Sequence, residues 1–260
     1  MRVLLAALLL AALPAPAREI VTLQTRPGVA LSFFIAGMGA IEPKAVALML
    51  IGGGGNIRLR EEGGQVRFGA QNFLPRARRE FIAQGIQPVI LDNPTDQQAG
   101  PGMSDAFRER REHAADLRAV VAEVKKRFPG LPVFLVTTSR STISGAYQAK
   151  ALGNELAGVV LSSSLFRDRN SPVLAVFDFS SVGIPVLFVH HRADACIATP
   201  YYEAERLGAK YPLVSVSGGK PPETGPCDPL SPHGYFGKEA ETVAAIAAWM
   251  LGKPYAREIR

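Results

Sequence analysis

Val133-Phe-Leu-Val-Thr-Thr-Ser-Arg-Ser-Thr-Ile-Ser-Gly-Ala146 reads as a buried strand running straight into a helix-compatible stretch, with a serine at the junction. Its first four residues lack polar alternation, the mark of a strand covered on both faces. A nucleophile elbow turns so sharply that the residues two before and two after its serine must be small, hence the usual pattern G-x-S-x-G. Around Ser139 those positions hold Thr137 and Ser141. Both are small and neither is glycine, and Thr137 is the more demanding because it is β-branched. Taking Ser141 as the turn serine would put Ile143 in a tight position, and Ser144 would fall inside the helix. Ser139 is therefore the candidate nucleophile.

Outward from this segment, apolar runs recur at Val46–Ile51, Pro88–Leu91, Gly158–Leu161, Pro185–Val189 and Leu213–Val216. Helical patterns lie between them, as in Leu117, Val120, Val121, Val124 and Phe128, which share one face. Buried strands separated by helices predict an α/β fold with a mainly parallel sheet and a ligand crevice at the strands' carboxyl ends. Ile20–Thr25 and Val29–Ile35, around Arg26-Pro27-Gly28, predict a leading hairpin. The total is about eight strands, with a last helix near Glu239–Leu251. Only 56–73 and 162–183 are long enough to act as lids, and neither is a full cap domain.

A serine hydroxyl needs a histidine to take its proton, and that histidine needs a carboxylate to orient it. In this architecture the chain order is Ser, then the acid just past a later strand, then His before the last helix. Ile184-Pro-Val-Leu-Phe-Val-His-His-Arg-Ala-Asp194 supplies the strand and the acid, Asp194. Cys227-Asp-Pro-Leu-Ser-Pro-His-Gly-Tyr235 supplies His233, the last histidine in the chain. Asp92 and Asp96, after the fourth strand, compete with Asp194 for the acid's role, although Asx turns account for them too. His113 shares the apolar stripe of Leu117 and Val120 and reads as a satisfied, semi-buried residue. His190 and His191 end a strand near the site, where they either line it or pack.

Together, the hairpin, the Gly-rich turn after the third strand, the serine elbow, the late aspartate and the final-loop histidine resemble the α/β-hydrolase superfamily over essentially the whole mature chain. Thr138-Ser139-Arg140, His190-His191-Arg-Ala-Asp194-Ala-Cys196 and Ser231-Pro-His-Gly234 are similar to a group of bacterial hydrolase-like proteins whose substrates are mostly undefined. The resemblance implies hydrolysis of an ester or related acyl bond through an acyl-enzyme, with no cofactor and a small-molecule acyl substrate. It places one oxyanion donor in Gly52-Gly-Gly-Gly-Asn56, at Gly53 or Gly54, and a second at the N–H of Arg140. A plain loop is the other reading of these glycines; a phosphate loop is disfavoured because no G-K-[ST] follows. The Arg140 side chain either holds an anionic substrate group or anchors the elbow to a carboxylate. An acyltransferase, and a binding protein that has kept the fold without the chemistry, are the alternatives.

The first seventeen residues have an early arginine, an apolar run from Val3 to Leu13 and then Pro14-Ala15-Pro16-Ala17. This predicts a signal peptide cleaved after Ala17, because the run is far shorter than the roughly 20 residues a membrane span needs. A periplasmic or secreted chain follows, with no later membrane segment. The roughly 240 residues left suit one domain, 18–260, rather than two. Export also makes a Cys196–Cys227 disulfide the expectation, tying the acid loop to the base loop or acting as a plain staple. No spacing of the four histidines or two cysteines suggests a metal. The net charge of +6 and the clusters Arg76–Arg79 and Arg108–Arg111 raise a nucleic-acid partner. Interleaved acidic residues argue instead for solvated helix faces and no nucleic acid.

Overall fold

The computed structural model describes residues 18–168 and 171–260. The expected leader and its cleavage point lie outside the described residues. Among those residues the main sheet has nine strands, here β1 (Glu19–Arg26), β2 (Val29–Ile35), β3 (Ala45–Leu50), β4 (Ile86–Pro94), β5 (Val133–Thr138), β6 (Gly158–Ser162), β7 (Val186–His191), β8 (Leu213–Val216) and β9 (Glu258–Ile259). Their spatial order is β1-β2-β4-β3-β5-β6-β7-β8-β9. β2 pairs antiparallel with β1 and β4, and every later neighbour is parallel. The sheet thus has one strand more than the eight expected. The extra strand, β9, is two residues paired with Ser215 and Val216, too short to leave a hydrophobic pattern.

Among the described residues seven helices flank the sheet: α1 (Phe73–Arg76), α2 (Arg78–Ala83), α3 (Asp105–Arg108), α4 (Arg111–Arg127), α5 (Ser141–Leu152), α6 (Tyr201–Gly208) and α7 (Glu239–Met250). Two apolar cores sandwich the strands. Val46, Leu48 and Leu50 of β3 face α4 and α5, and join Leu117, Val120, Val124, Ala146 and Leu152. The alternate residues Ala45, Ala47 and Met49 face α2 and α7, and join Phe81, Val243 and Ile246. Both faces are covered, which is why β3 shows no polar alternation in the sequence. Each fully buried Leu, Ile, Val or Phe contributes about 1.5–3 kcal/mol, enough to fix the sheet's register.

β4 runs from Ile86 to Pro94, well beyond the apolar Pro88–Leu91. Polar Gln87 is accommodated because its side-chain amide donates to Ala36 O at 2.7 Å. The parallel strands β3, β5, β6 and β7 end at Leu50, Thr138, Ser162 and His191. The Gly-rich turn, Ser139, Ser163 and Asp194 therefore all emerge at one edge. Of the two long connections there, 56–73 carries a small hairpin (Arg60–Glu62 with Gln65–Arg67). Among the described residues, 162–183 carries a two-residue ladder and short 3-10 turns.

Candidate active site

Ser139 has φ of 55°, in the left-handed region that non-glycine residues rarely occupy. Its N–H donates to Ser162 O at 2.9 Å, which pins the turn to the end of β6. Ser141 locks the other side: its hydroxyl donates to Leu50 O at 2.7 Å and accepts from the Thr138 N–H at 3.0 Å. The serine standing two after the turn thus joins the elbow to β3. Thr137 fits for a different reason. Its hydroxyl donates to Val160 O at 3.0 Å, and the space its side chain needs is taken from α5. A Cβ on Gly145 would stand 2.6 Å from Thr137 Oγ1 and 2.6 Å from Leu161 Cδ2. The glycine that the elbow lacks at 137 is supplied across the turn at 145.

Asp194 and His233, distant in sequence, meet: Asp194 Oδ2 lies 2.9 Å from His233 Nδ1. The carboxylate is fully buried and is held from two further directions. Cys196 N–H donates to Oδ1 at 2.9 Å and the Thr199 hydroxyl donates to Oδ2 at 2.8 Å. Thr199 was not visible as a site residue, since a threonine five positions past an aspartate carries no pattern. Cys196 is bonded to Cys227, as expected. The histidine loop is fixed elsewhere too. The Ser163 hydroxyl donates to His233 O at 2.8 Å, and the buried Tyr235 hydroxyl donates to Val189 O at 2.7 Å. Burial pushes that phenol well above its ordinary range. Arg76 donates to Gly234 O at 2.8 Å and Pro229 O at 3.2 Å while paired with Glu239 at 2.7 Å.

With Nδ1 thus fixed, His233 Nε2 is the ring's free atom. It is buried and has no hydrogen-bond partner among the described residues. Ser139 and His233 line one cleft of about 480 Å³, together with Gly52–Asn56, Arg58, Asn72 and Asp228. A Ser139–His233 hydrogen bond is not formed among the described residues.

The Gly-rich turn passes directly over the serine. A Cβ on Gly52 would come within 2.8 Å of Ser139 Cβ, and one on Gly54 within 1.8 Å of Pro101 O, so both positions require glycine. The turn's carbonyls are tied down behind it. Arg108 donates to Gly53 O at 2.8 Å, and Met103 N–H and the Asn93 amide donate to Gly54 O at 2.8 and 2.7 Å. In a trans peptide the N–H points opposite the carbonyl, so anchoring Gly53 O turns the Gly54 N–H away from Arg108. Among the described residues the N–H groups of Gly53, Gly54 and Arg140 have no protein acceptor.

Arg108 corrects one expectation: it is 2% exposed, not part of a solvated face. Burial draws it down from 12.5 to about 10, so it stays charged at neutral pH. Half-buried Arg76 departs from the same expectation. The Arg140 side chain pairs with Asp105 at 3.2 Å and Asp168 at 3.1 Å, which favours the carboxylate anchor over an anion-binding role.

No protein-family model and no curated protein sequence matches this chain. Solved structures do. A lid-less α/β serine hydrolase from Xanthomonas campestris is 17% identical, over 87% of this chain and 93% of its own, with a TM-score of 0.56. Est1E from Butyrivibrio proteoclasticus is 12% identical, over 91% of this chain and 98% of its own, with a TM-score of 0.60. An esterase from Pyrococcus furiosus is 14% identical, over 78% of this chain and 83% of its own, with a TM-score of 0.52. This is an α/β-hydrolase fold.

In this α/β-hydrolase fold the remaining candidates sit away from the cleft. Asp92 accepts the N–H groups of Ile57 and Leu59, each at 3.0 Å, and Asp96 pairs with Arg26 at 2.9 Å, so neither meets His233. His190 accepts the Ser164 N–H at 2.9 Å and stacks on Phe166; burial holds it at about 3. His191 bridges Gly218 O and Ala193 N–H, each at 3.0 Å. Both histidines brace loops and neither lines the cleft. His113 is fully buried rather than semi-buried, and neither ring nitrogen has a partner among the described residues. Desolvation, then the charges of Arg108 and Arg26, hold it at about 3. Among the described residues no group of three or more acidic, His or Cys side chains could hold a metal, and no helix is long and apolar enough to cross a membrane.

Proposed function

We propose that this chain is an exported serine hydrolase, cleaving an ester or related acyl bond with Ser139 as nucleophile, His233 as general base and acid, and Asp194 orienting His233. The observation that carries this reading is the left-handed Ser139 facing the same cleft as a histidine whose other nitrogen is held by a buried carboxylate. Ser139 Oγ attacks the acyl carbon as its proton passes to His233 Nε2, and Asp194 stabilises the imidazolium. The N–H groups of Gly53 or Gly54 and of Arg140 receive the oxyanion, each worth roughly 3 to 4 kcal/mol. The leaving alcohol takes the proton from Nε2. A water then attacks the acyl-enzyme while giving a proton to His233, and Ser139 is restored. No cofactor is needed. Residues 1–17 direct export, the mature chain 18–260 is one domain, and the disulfide forms in the oxidising compartment it enters.

Fluorophosphonate labelling of the mature chain tests the chemistry. Labelling should occur in wild type and disappear in Ser139→Ala and His233→Ala, and Asp194→Asn should lower ester turnover by about 10⁴-fold. Folded wild type that stays unlabelled beside a labelled control hydrolase would overturn this reading. The second reading, a binding protein without turnover, is favoured by the absent Ser139–His233 hydrogen bond and would then take its place.

A further inference from the structure

We propose that Arg58 is a substrate-recognition residue for a carboxylate, so that the preferred substrate is an ester carrying a free acid group at a distance from the scissile bond. The kinetic arm of this inference rests on the hydrolase reading above.

Arg58 lines the cleft that holds Ser139 and His233. It also lines an adjoining groove of about 450 Å³ with Asn56, Arg60, Thr95 and Gln98. It therefore stands where the cleft opens into space for the rest of a substrate. Its backbone is held in an uncommon shape, with φ of 50°. The buried Asp92 carboxylate imposes that shape by accepting the N–H groups on either side of it, from Ile57 and Leu59, each at 3.0 Å. Gly69 completes the mount: its N–H donates to Ile57 O at 2.7 Å, and a Cβ there would lie 3.1 Å from Arg58 Cβ and 3.2 Å from Cδ. A long side chain kept on strained backbone by a buried acid and packed closely over a glycine is the kind of strain that ligand clamps store.

The guanidinium itself is unspent. Arg58 is exposed, and among the described residues no carboxylate lies within 4 Å of it and no hydrogen bond engages it. Neighbouring arginines are occupied: Arg60 with Glu62, Arg140 with Asp105 and Asp168, Arg108 with Gly53 and Ser144. A planar guanidinium with no partner matches a carboxylate through two parallel hydrogen bonds. The cleft's other formal charge, Asp228, belongs to the histidine loop and forms no ion pair with Arg58. It works against an anionic substrate, so Asp228→Asn should raise turnover of one.

The test compares 4-nitrophenyl hydrogen glutarate with neutral 4-nitrophenyl pentanoate at neutral pH. Wild type should favour the anionic ester by about tenfold or more in kcat/KM, the size of one charged hydrogen-bonded contact. Arg58→Gln should bring the ratio close to one, mainly through KM, and Arg58→Lys should restore part of it. A ratio that Arg58→Gln does not move overturns the proposal. A second arm needs no turnover: glutarate should bind Ser139→Ala by calorimetry, and binding should be lost in Ser139→Ala/Arg58→Gln. If neither ester is cleaved but glutarate binds through Arg58, the hydrolase reading fails and Arg58 stands as a carboxylate-binding residue. If glutarate binds neither variant, the proposal is overturned.

Discussion

The backbone N–H of Cys196 donates to Asp194 at 2.9 Å, so the residue whose sulfur reaches the histidine loop also fixes the acid that orients the histidine. Structural and chemical tasks converge on one short loop. They separate on mutation, because the hydrogen bond belongs to the backbone and the bridge to the side chain.

Replacing both cysteines by alanine should therefore cost stability far more than turnover. The bridge spans a sequence separation of 31, which on the chain-entropy model is worth roughly 3 to 4 kcal/mol. Thr199, Ser163, Tyr235 and Arg76 still hold the two loops. Urea unfolding should show this loss, while kcat measured well below the transition changes little.

Arg108→Met should do the opposite. It keeps the length of the side chain and removes the donor that anchors Gly53 O. We expect kcat to fall by about 10- to 100-fold with a smaller change in KM, bounded by the cost of losing an oxyanion donor outright. An unchanged kcat would show that the Gly-rich turn is held by Met103 and Asn93 alone.

Ser139→Gly should abolish labelling and stabilise the fold. Left-handed backbone costs a serine about 1–2 kcal/mol, of which glycine's greater unfolded-state freedom offsets about 0.5–1. A net gain near 0.5–1 kcal/mol corresponds to a rise of about 2–4 °C or less in Tm for a chain of this size. Thermal unfolding of Ser139→Gly beside Ser139→Ala checks it.

Acid should destabilise the protein through His113 and His190. Both are held at about 3 when folded, against an ordinary histidine value of 6.5. The unfolded chain binds the extra protons, so their contribution is complete above about 6.5 and is lost as pH falls from there toward 3. Each histidine should add a slope approaching about 1.4 kcal/mol per pH unit in the middle of that window. Unfolding free energies between neutral pH and pH ~4.5 should fall less steeply in His113→Phe than in wild type.

The parts of the fold that bury two faces were legible: β3, β5, β6 and β7 announce themselves as unbroken apolar runs. The order of Ser139, Asp194 and His233 was legible because strand ends and the last helix punctuate the sequence. Thr199 and Tyr235 were not, since each acts through a single hydroxyl placed by tertiary folding. Arg76 and Arg108 were misread for a physical reason. Arg108 binds a backbone carbonyl and so leaves no complementary acid in the sequence, Arg76 meets its acid, Glu239, only through tertiary folding, and the acidic residues beside both suggest a wet surface. The strand β9 was invisible because its pairing, rather than its composition, makes it a strand.

Thr137 and Gly145 share one volume, and that sharing dictates a direction of change. Residue 145 has no room for a side chain while threonine stands at 137, whereas 137 can shrink at any time. A route from this elbow to the glycine-rich form must therefore alter 137 before 145, and the reverse route must restore glycine at 145 before threonine returns. The two positions can therefore change only in a fixed order, and Leu161, whose Cδ2 a Cβ at 145 would also meet at 2.6 Å, has to move with them.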